Sequence, residues 1–356
     1  MDKDLLDIYT DYLICSFGQT TATGLSALLE NAVSHDRITR LLSGAPLTSV
    51  DLWKYVKPLA RQIASEEGVL VIDDSVEAKP YTDESELICW HWDHTIGRSV
   101  KGINLLTTLY HSQGFSLPVA FELIKKPDFV LDKKTGKQKR QAKQSKNELY
   151  RQMLATCVRN GIVFRYVLND IWFASAENMV FVKETLQKDF VMPLKENRKV
   201  TREEPDCPNR RYASVSDLDL KENVLETIWL EGVDFPLLLT KQVFTNKDDS
   251  TGVLYLVASD TALTAEQIAT LYQKRWKVEE YHKSLKSNLG FAKSPTRTVR
   301  TQSNHFFASL IAFVKMEQMR MKNHLSHFAM KAQIYQAALK HAYSQLKGYK
   351  AQTETA

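Results

Sequence analysis

The chain has 356 residues, more than one average domain, so two or three structural units fit its length. Its 44% apolar and 25% charged content is that of an ordinary soluble globular protein, and a net charge of +5 does not by itself announce a nucleic-acid partner. Four scattered cysteines form no disulfide framework, and the longest apolar stretch, 306–314, is too short to span a bilayer; a reduced, cytoplasmic chain without a membrane role is expected.

Residues 1–66 read as helices and form the first expected unit. Leu5, Leu6, Tyr9 and Leu13 recur at helical spacing until Gly18, and Leu25, Leu28 and Leu29 resume it. Ser34 is a suitable N-cap for a helix whose polar face carries His35, Arg37 and Arg40 and whose apolar face carries Ile38, Leu41 and Leu42. Two short helices with a basic second one fit either a helix-turn-helix touching DNA through Arg37 and Arg40 or a plain helical bundle. A further helix over 51–64 turns Trp53, Val56, Leu59, Ala60 and Ile63 inward, and Pro58 should kink or restart it.

From Gly68 the pattern changes to strands. Val69–Ile72 is a short continuous apolar run, as in a strand buried on both faces, followed by Asp73-Asp74-Ser75. Residues 103–110 and 115–124 form a hairpin turning at Gly114. The cluster Cys89-Trp90-His91-Trp92-Asp93-His94 fits no common zinc spacing and reads as a loop or edge strand near the first Asp. Residues 133–146 hold seven Lys or Arg, Lys139 and Arg140 among them, and no acid. That suits a polyanion or a flexible solvated loop equally. A helix over 146–159 breaks at Asn160-Gly161. A strand over 162–168 ends at Asn169-Asp170, and a helix over 174–188 leads to a strand over 190–194. Periodicity gives a mixed α/β class.

Residues 198–260 read as a β-rich insertion with strands near 224–230, 235–244 and 253–258. Thr264 to Asn288 contains no Pro or Gly and reads as one helix. Along it Tyr272, Arg275, Glu279, Lys283 and Lys286 share a face, while Leu271, Val278 and Leu285 form a core stripe. Trp276 is expected to pack beneath the helix. Two more helices follow, near 302–321 and 325–346, before a tail from Gly348 expected to be disordered.

Carboxylates at the C-terminal ends of strands converge on one rim of an α/β sheet. Asp73 and Asp170 occupy such ends, and Glu279 lies on the helix face that also carries cations. The register of a doubly buried strand leaves Asp74 open as an alternative to Asp73. Taken alone, Asp170 reads more readily as the cap of the helix starting near Ala174.

The string Tyr272, two residues, Arg275, three, Glu279, six, Lys286 resembles the YREK signature of bacterial insertion-sequence DDE transposases, with matching neighbours at Trp276, Glu280, His282 and Lys283. The resemblance implies a ribonuclease-H-like mixed sheet flanked by helices, with a β-rich insertion and helical N- and C-terminal regions. The units are then 1–66 (DNA-binding), 67–197 (first part of the core), 198–260 (insertion), 261–295 (last core helix) and 296–356 (dimerisation). It implies catalysis and metal binding by Asp73, Asp170 and Glu279, with Glu280 a weaker alternative to Glu279, and two Mg²⁺ or Mn²⁺ ions. Tyr272 and Arg275 would meet transposon-end phosphates, and Lys283 and Lys286 would hold DNA near the cut. An aromatic of the insertion, Trp229 or Tyr255, would stack a flipped base or else serve the core. The implied partners are the terminal inverted repeats, target DNA and a second copy of the chain; the implied activity is cut-and-paste DNA transposition. Rival readings are another ribonuclease-H-like nuclease, such as a junction resolvase, and a non-catalytic DNA-binding inhibitor derived from a transposase.

Overall fold

Four amphipathic helices open the chain: α1 (Lys3–Cys15), α2 (Ala22–Leu28), α3 (His35–Ser43) and α4 (Ser49–Gln62). Residues 2–93, 96–133, 136–208, 210–246 and 248–354 are described by a computed structural model; His94, Lys134, Lys247 and the last two residues of the tail lie outside them. Ser34 caps α3 through the Arg37 amide, and Ile38, Leu41 and Leu42 are buried below it. A Thr48–Asp51 capping box starts α4, which runs unbroken through Pro58. Pro58 and Lys54, whose carbonyl loses its partner, are both exposed, so the missing bond faces solvent and the expected restart does not occur.

The central sheet has eleven strands in the order β10 (Ala213–Ser214), β9 (Lys199–Thr201), β11 (Leu225–Leu230), β12 (Leu237–Thr245), β13 (Thr251–Ala258), β8 (Asp189–Leu194), β7 (Tyr166–Asn169), β1 (Val69–Ala78), β3 (Arg98–Ser112) and β2 (Cys89–Asp93), with β4 (Phe115–Leu123) also paired to β3. Its middle is built from β1 (Val69–Ala78), β3 (Arg98–Ser112), β4 (Phe115–Leu123), β7 (Tyr166–Asn169) and β8 (Asp189–Leu194). The hairpin strands β1, β3 and β4 are antiparallel, and β7 and β8 add to β1 in parallel. That is the ribonuclease-H-like order. Strand β1 is longer than the apolar run predicts: it continues past Ile72 to Ala78 because β3 pairs with it throughout, whereas β7 leaves it at Ile72. Gly102 of β3 is required at that ladder's end, since a Cβ there would lie 2.2 Å from the Glu77 carbonyl oxygen.

Cys89–Asp93 is edge strand β2, paired to β3. Part of the basic segment, β6 (Gln138–Gln141), pairs with β5 (Asp128–Leu131) as a two-stranded ribbon. Arg140 holds it to the body through Glu84 (2.8 Å) and packs within the ribbon over the ring of its cross-strand partner Phe129 (4.3 Å). Helix α5 (Lys146–Arg159) begins with a Ser145–Glu148 capping box and packs on β3 and β4. The segment after Asp170 forms a short helix, α6 (Ala176–Val180), and a π-helical turn, Phe181–Thr185.

The region 198–260 supplies β9 (Lys199–Thr201), β10 (Ala213–Ser214), β11 (Leu225–Leu230), β12 (Leu237–Thr245) and β13 (Thr251–Ala258). These strands extend the central sheet, because β13 pairs directly with β8. Helices α7 (Ala265–Gln273), α8 (Trp276–Asn288), α9 (Val299–Asn323) and α10 (His327–Glu354) complete the chain. The expected single helix over 264–288 is thus two. The joint tightens into i→i−3 bonds, Lys274 to Leu271 and Arg275 to Tyr272, with no Pro or Gly to signal it. Gly348 does not end α10: one Gly costs only about 1 kcal/mol against Ala, and good helix formers flank it.

Helix α9 sits at the centre of the helical layer. It packs on α1, α3, α4, α8 and β4, and Phe306, Phe307, Leu310 and Phe313 are buried along it. Among the described residues no helix is long and apolar enough to cross a membrane.

Candidate active site

The site starts from register. In the parallel pair β1–β7 the last partners are Ile72 and Asn169, so Asp73 and Asp170 are the next residues on two neighbouring strands, where the ladder stops and a cleft opens. Helix α8 packs on β1 through its buried Val278, Tyr281 and Leu285. This lays Glu279 along the same cleft, so that Asp73, Asp170 and Glu279 all line it.

The two adjacent acids of β1 differ in surroundings. Asp74 accepts bonds from Asn104 Nδ2 (2.6 Å) and Lys146 Nζ (2.7 Å). Asp73 is 8% exposed, accepts its own neighbour's backbone N–H at 2.8 Å and lies 3.9 Å from Arg275. Burial, then the charges of Asp74, Glu279 and Asp170, hold its carboxyl well above the usual carboxylate range. Asp170 is half-buried and accepts the Trp172 amide at 2.8 Å, a local turn; the cap of α6 is Ser175 instead. Glu279 keeps 45% of its side chain exposed and pairs with Arg275 Nη1 at 3.2 Å. Glu280 turns away from Asp73 and pairs with Lys277.

Arg275 is the inner counter-charge. It lies under Glu279, near Asp73, and stacks 5.0 Å from the Trp276 ring. Its Nε is buried without a hydrogen-bond partner. Tyr272 donates to the Asn169 carbonyl at 3.5 Å, and burial raises its phenol. Lys286 donates to the Val76 carbonyl (3.2 Å), while Lys283 is exposed beside the Phe328 ring. Trp276 is 58% exposed, contrary to the expected packing beneath the helix: the joint at 274–275 turns it outward onto Arg275.

His282 is the residue that sequence reasoning passed over as part of a motif. Its ring is buried, and desolvation pushes it down to about 3. The Nε2 atom has no hydrogen-bond partner. Ligand atoms of Asp73, Glu279 and His282 all lie within 4.8 Å of one another; Asp170 lines the cleft outside that tight group. This donor set fits a divalent cation: hard carboxylate oxygens, excess negative charge and an orphaned imidazole nitrogen. The cleft rim also carries Trp92 and Trp172, about half exposed, the latter 5.0 Å from Lys195 Nζ. Their place was legible only as an edge strand and a loop after Asp170.

Other expected site residues lie elsewhere. Arg37 pairs with Asp2 (2.6 Å), and Arg40 is exposed on α3. Lys139 pairs with Asp132 on the ribbon. Trp229 is buried in β11, at 8% exposure. Tyr255 is half-buried in β13, between Lys241 and Leu194.

A ribonuclease-H-like sheet with two carboxylates at the end of its central parallel pair, and a third brought beside them by a helix, is the class of fold this chain presents. Within that class the chain belongs to the DDE family: residues 2–216 match the model of the DDE superfamily endonuclease, and residues 126–314 match that of the transposase DDE domain. No curated protein matches the chain. A solved structure, the Drosophila P element transposase strand transfer complex, matches at 14% identity and a TM-score of 0.26 over 48% of this chain. That match covers 34% of the other chain.

Proposed function

We propose that the chain is the transposase of a bacterial insertion sequence of the YREK group, cutting DNA at the element's ends and joining the freed ends to target DNA. The observation that carries the reading is the meeting of Asp73, Asp170 and Glu279 at one cleft with Arg275 among them. The three carboxylates would hold two Mg²⁺ or Mn²⁺ ions. Such a pair, when bound, activates the attacking oxygen and steadies the leaving one in an in-line displacement.

The chain's own residues do the rest. Arg275 has a planar fork suited to a phosphate. Lys283 and Lys286, one and two turns beyond Glu279, supply point charges beside the reacting phosphate. Tyr272 fixes the approach of α7 to the end of β7. Hydrolysis breaks the phosphorus–3′-oxygen bond, adds the water oxygen to phosphorus and leaves a 3′-hydroxyl. Strand transfer then bonds that hydroxyl to a target phosphorus and releases the target's 3′-oxygen.

In this reading α3 presents Arg37 and Arg40 to DNA, and the ribbon presents Lys139. Arg140 serves the ribbon's anchorage first. The outer half of α10 would mediate assembly: Tyr335, Leu339, Ala342, Leu346 and Tyr349 repeat at alternating spacings of four and three and are exposed. Such a seam suits a coiled-coil partner, here a second copy.

The test is cleavage of a supercoiled plasmid carrying the inverted repeats that flank this reading frame, with Mg²⁺. Glu279→Gln should lose cutting by on the order of 10³-fold, as expected when charge stabilisation of the transition state is removed, and should keep end binding in a gel-shift assay. Normal cutting by that variant would sink the assignment.

A further inference from the structure

We infer that His282 is a third, nitrogen donor to the divalent ion held by Asp73 and Glu279, so that one metal position in this cleft has a mixed oxygen and nitrogen ligand set. The inference rests on the metal-dependent reading above.

Three observations carry it. One ring nitrogen of His282 and carboxylate oxygens of Asp73 and Glu279 lie within 4.8 Å of one another. Glu279 and His282 are three residues apart on α8, and a Glu-x-x-His spacing points both side chains the same way. His282 is only 6% exposed, yet its Nε2 has no hydrogen-bond partner. Buried polar atoms are nearly always satisfied, and an orphan costs stability; a structural histidine would be expected to keep its partners, as His305 does at both ring nitrogens.

The neighbouring groups fit the same scheme. Asp74, the acid that might otherwise complete the set, is tied to Asn104 and Lys146. Arg275 faces the two carboxylates at 3.2 and 3.9 Å, where it can offset their charge before a cation enters. An imidazole donor changes which cation is favoured. Mg²⁺ is a hard ion held by oxygen, whereas nitrogen donors suit the first-row transition metals better. His282 should therefore strengthen Mn²⁺ binding more than Mg²⁺ binding.

The test uses the full chain, stripped of metal with a chelator, and Mn²⁺ alone as the probe. Pulsed electron paramagnetic resonance of bound Mn²⁺ should show coupling to a directly bonded nitrogen. His282→Gln should lose that coupling and bind Mn²⁺ about 10-fold more weakly or worse, since even outer partners of metal ligands are worth 10–100-fold. Its Mg²⁺ affinity, read by competition, should fall less. Binding that Asp73→Asn abolishes, but with no nitrogen coupling and unchanged Mn²⁺ affinity in His282→Gln, would overturn the inference and leave the metal reading standing. Absence of any Mn²⁺ binding by the parent chain would overturn both. Should a thermal melt show His282→Gln unfolded, the nitrogen coupling in the parent chain still decides.

Discussion

Asp73 concentrates the electrostatic cost of the site. Its folded-state carboxyl titrates above the unfolded value, chiefly through burial. Below the unfolded value, about 3.9, both states are protonated and the residue costs nothing. As pH rises the folded state must ionise a carboxyl it resists ionising, so stability is lost through that window and stays lost above the folded value. Asp73→Asn removes the penalty. Without divalent ions at neutral pH the variant should melt higher than the parent, by roughly 2 °C per kcal/mol recovered in a chain of this size. The gap should close as pH falls toward the unfolded value, and Mg²⁺ should raise the parent's melting point but not the variant's. Differential scanning fluorimetry across pH checks all three. Arg275 makes the opposite contribution. Replacing it with Gln should weaken DNA binding for every sequence tested and lower the slope of log affinity against log salt by about one. An unchanged slope would rule out a phosphate contact.

At the scale of elements, legibility followed burial and capping. The all-apolar Val69–Ile72, the capping residue Ser34 and the Asn160-Gly161 break each state a local physical fact, and an element starts or stops where that fact placed it. Three features had no local signal. The break between α7 and α8 arises where Tyr272 and Arg275 reach different strands of the core, Asn169 on β7 and Asp73 on β1. Trp276 is exposed and Trp229 buried because orientation depends on partners far along the chain. His282 read as one letter of a motif until β1 was set beside it. Helix α10 makes its own prediction. Leu339→Asp with Leu346→Asp places charge in the exposed seam without touching the core. Sedimentation velocity should show the doubly substituted chain as a monomer at concentrations where the parent associates. Equal sedimentation of the two would remove α10 as the contact.

Helix α9 joins the first helices of the chain to the last. Its Asn304 bonds the Leu42 carbonyl (2.9 Å) and the Leu47 amide (3.0 Å), and its His305 meets the Tyr9 hydroxyl at 3.0 Å. Lys315 reaches Asp7 and Asp11. The first four helices therefore share a core with the last two and do not stand apart as a tethered module. A chain beginning at residue 67 should expose the apolar side of α9 and aggregate, which size-exclusion chromatography of the truncated protein would reveal; a monodisperse, folded product would contradict it.

The ladder between β13 and β8 has a mechanical meaning. Hydrogen-bonded strands cannot slide or pivot against one another as tethered domains do, so the outer strands β9 to β12 form a stiff arm fixed to the same sheet that carries Asp73. For the proposed DNA substrate, a duplex resting along that arm would have its distance from the three acids set by the hydrogen-bonded spacing of the strands, and the break would be gauged by the width of a few of them.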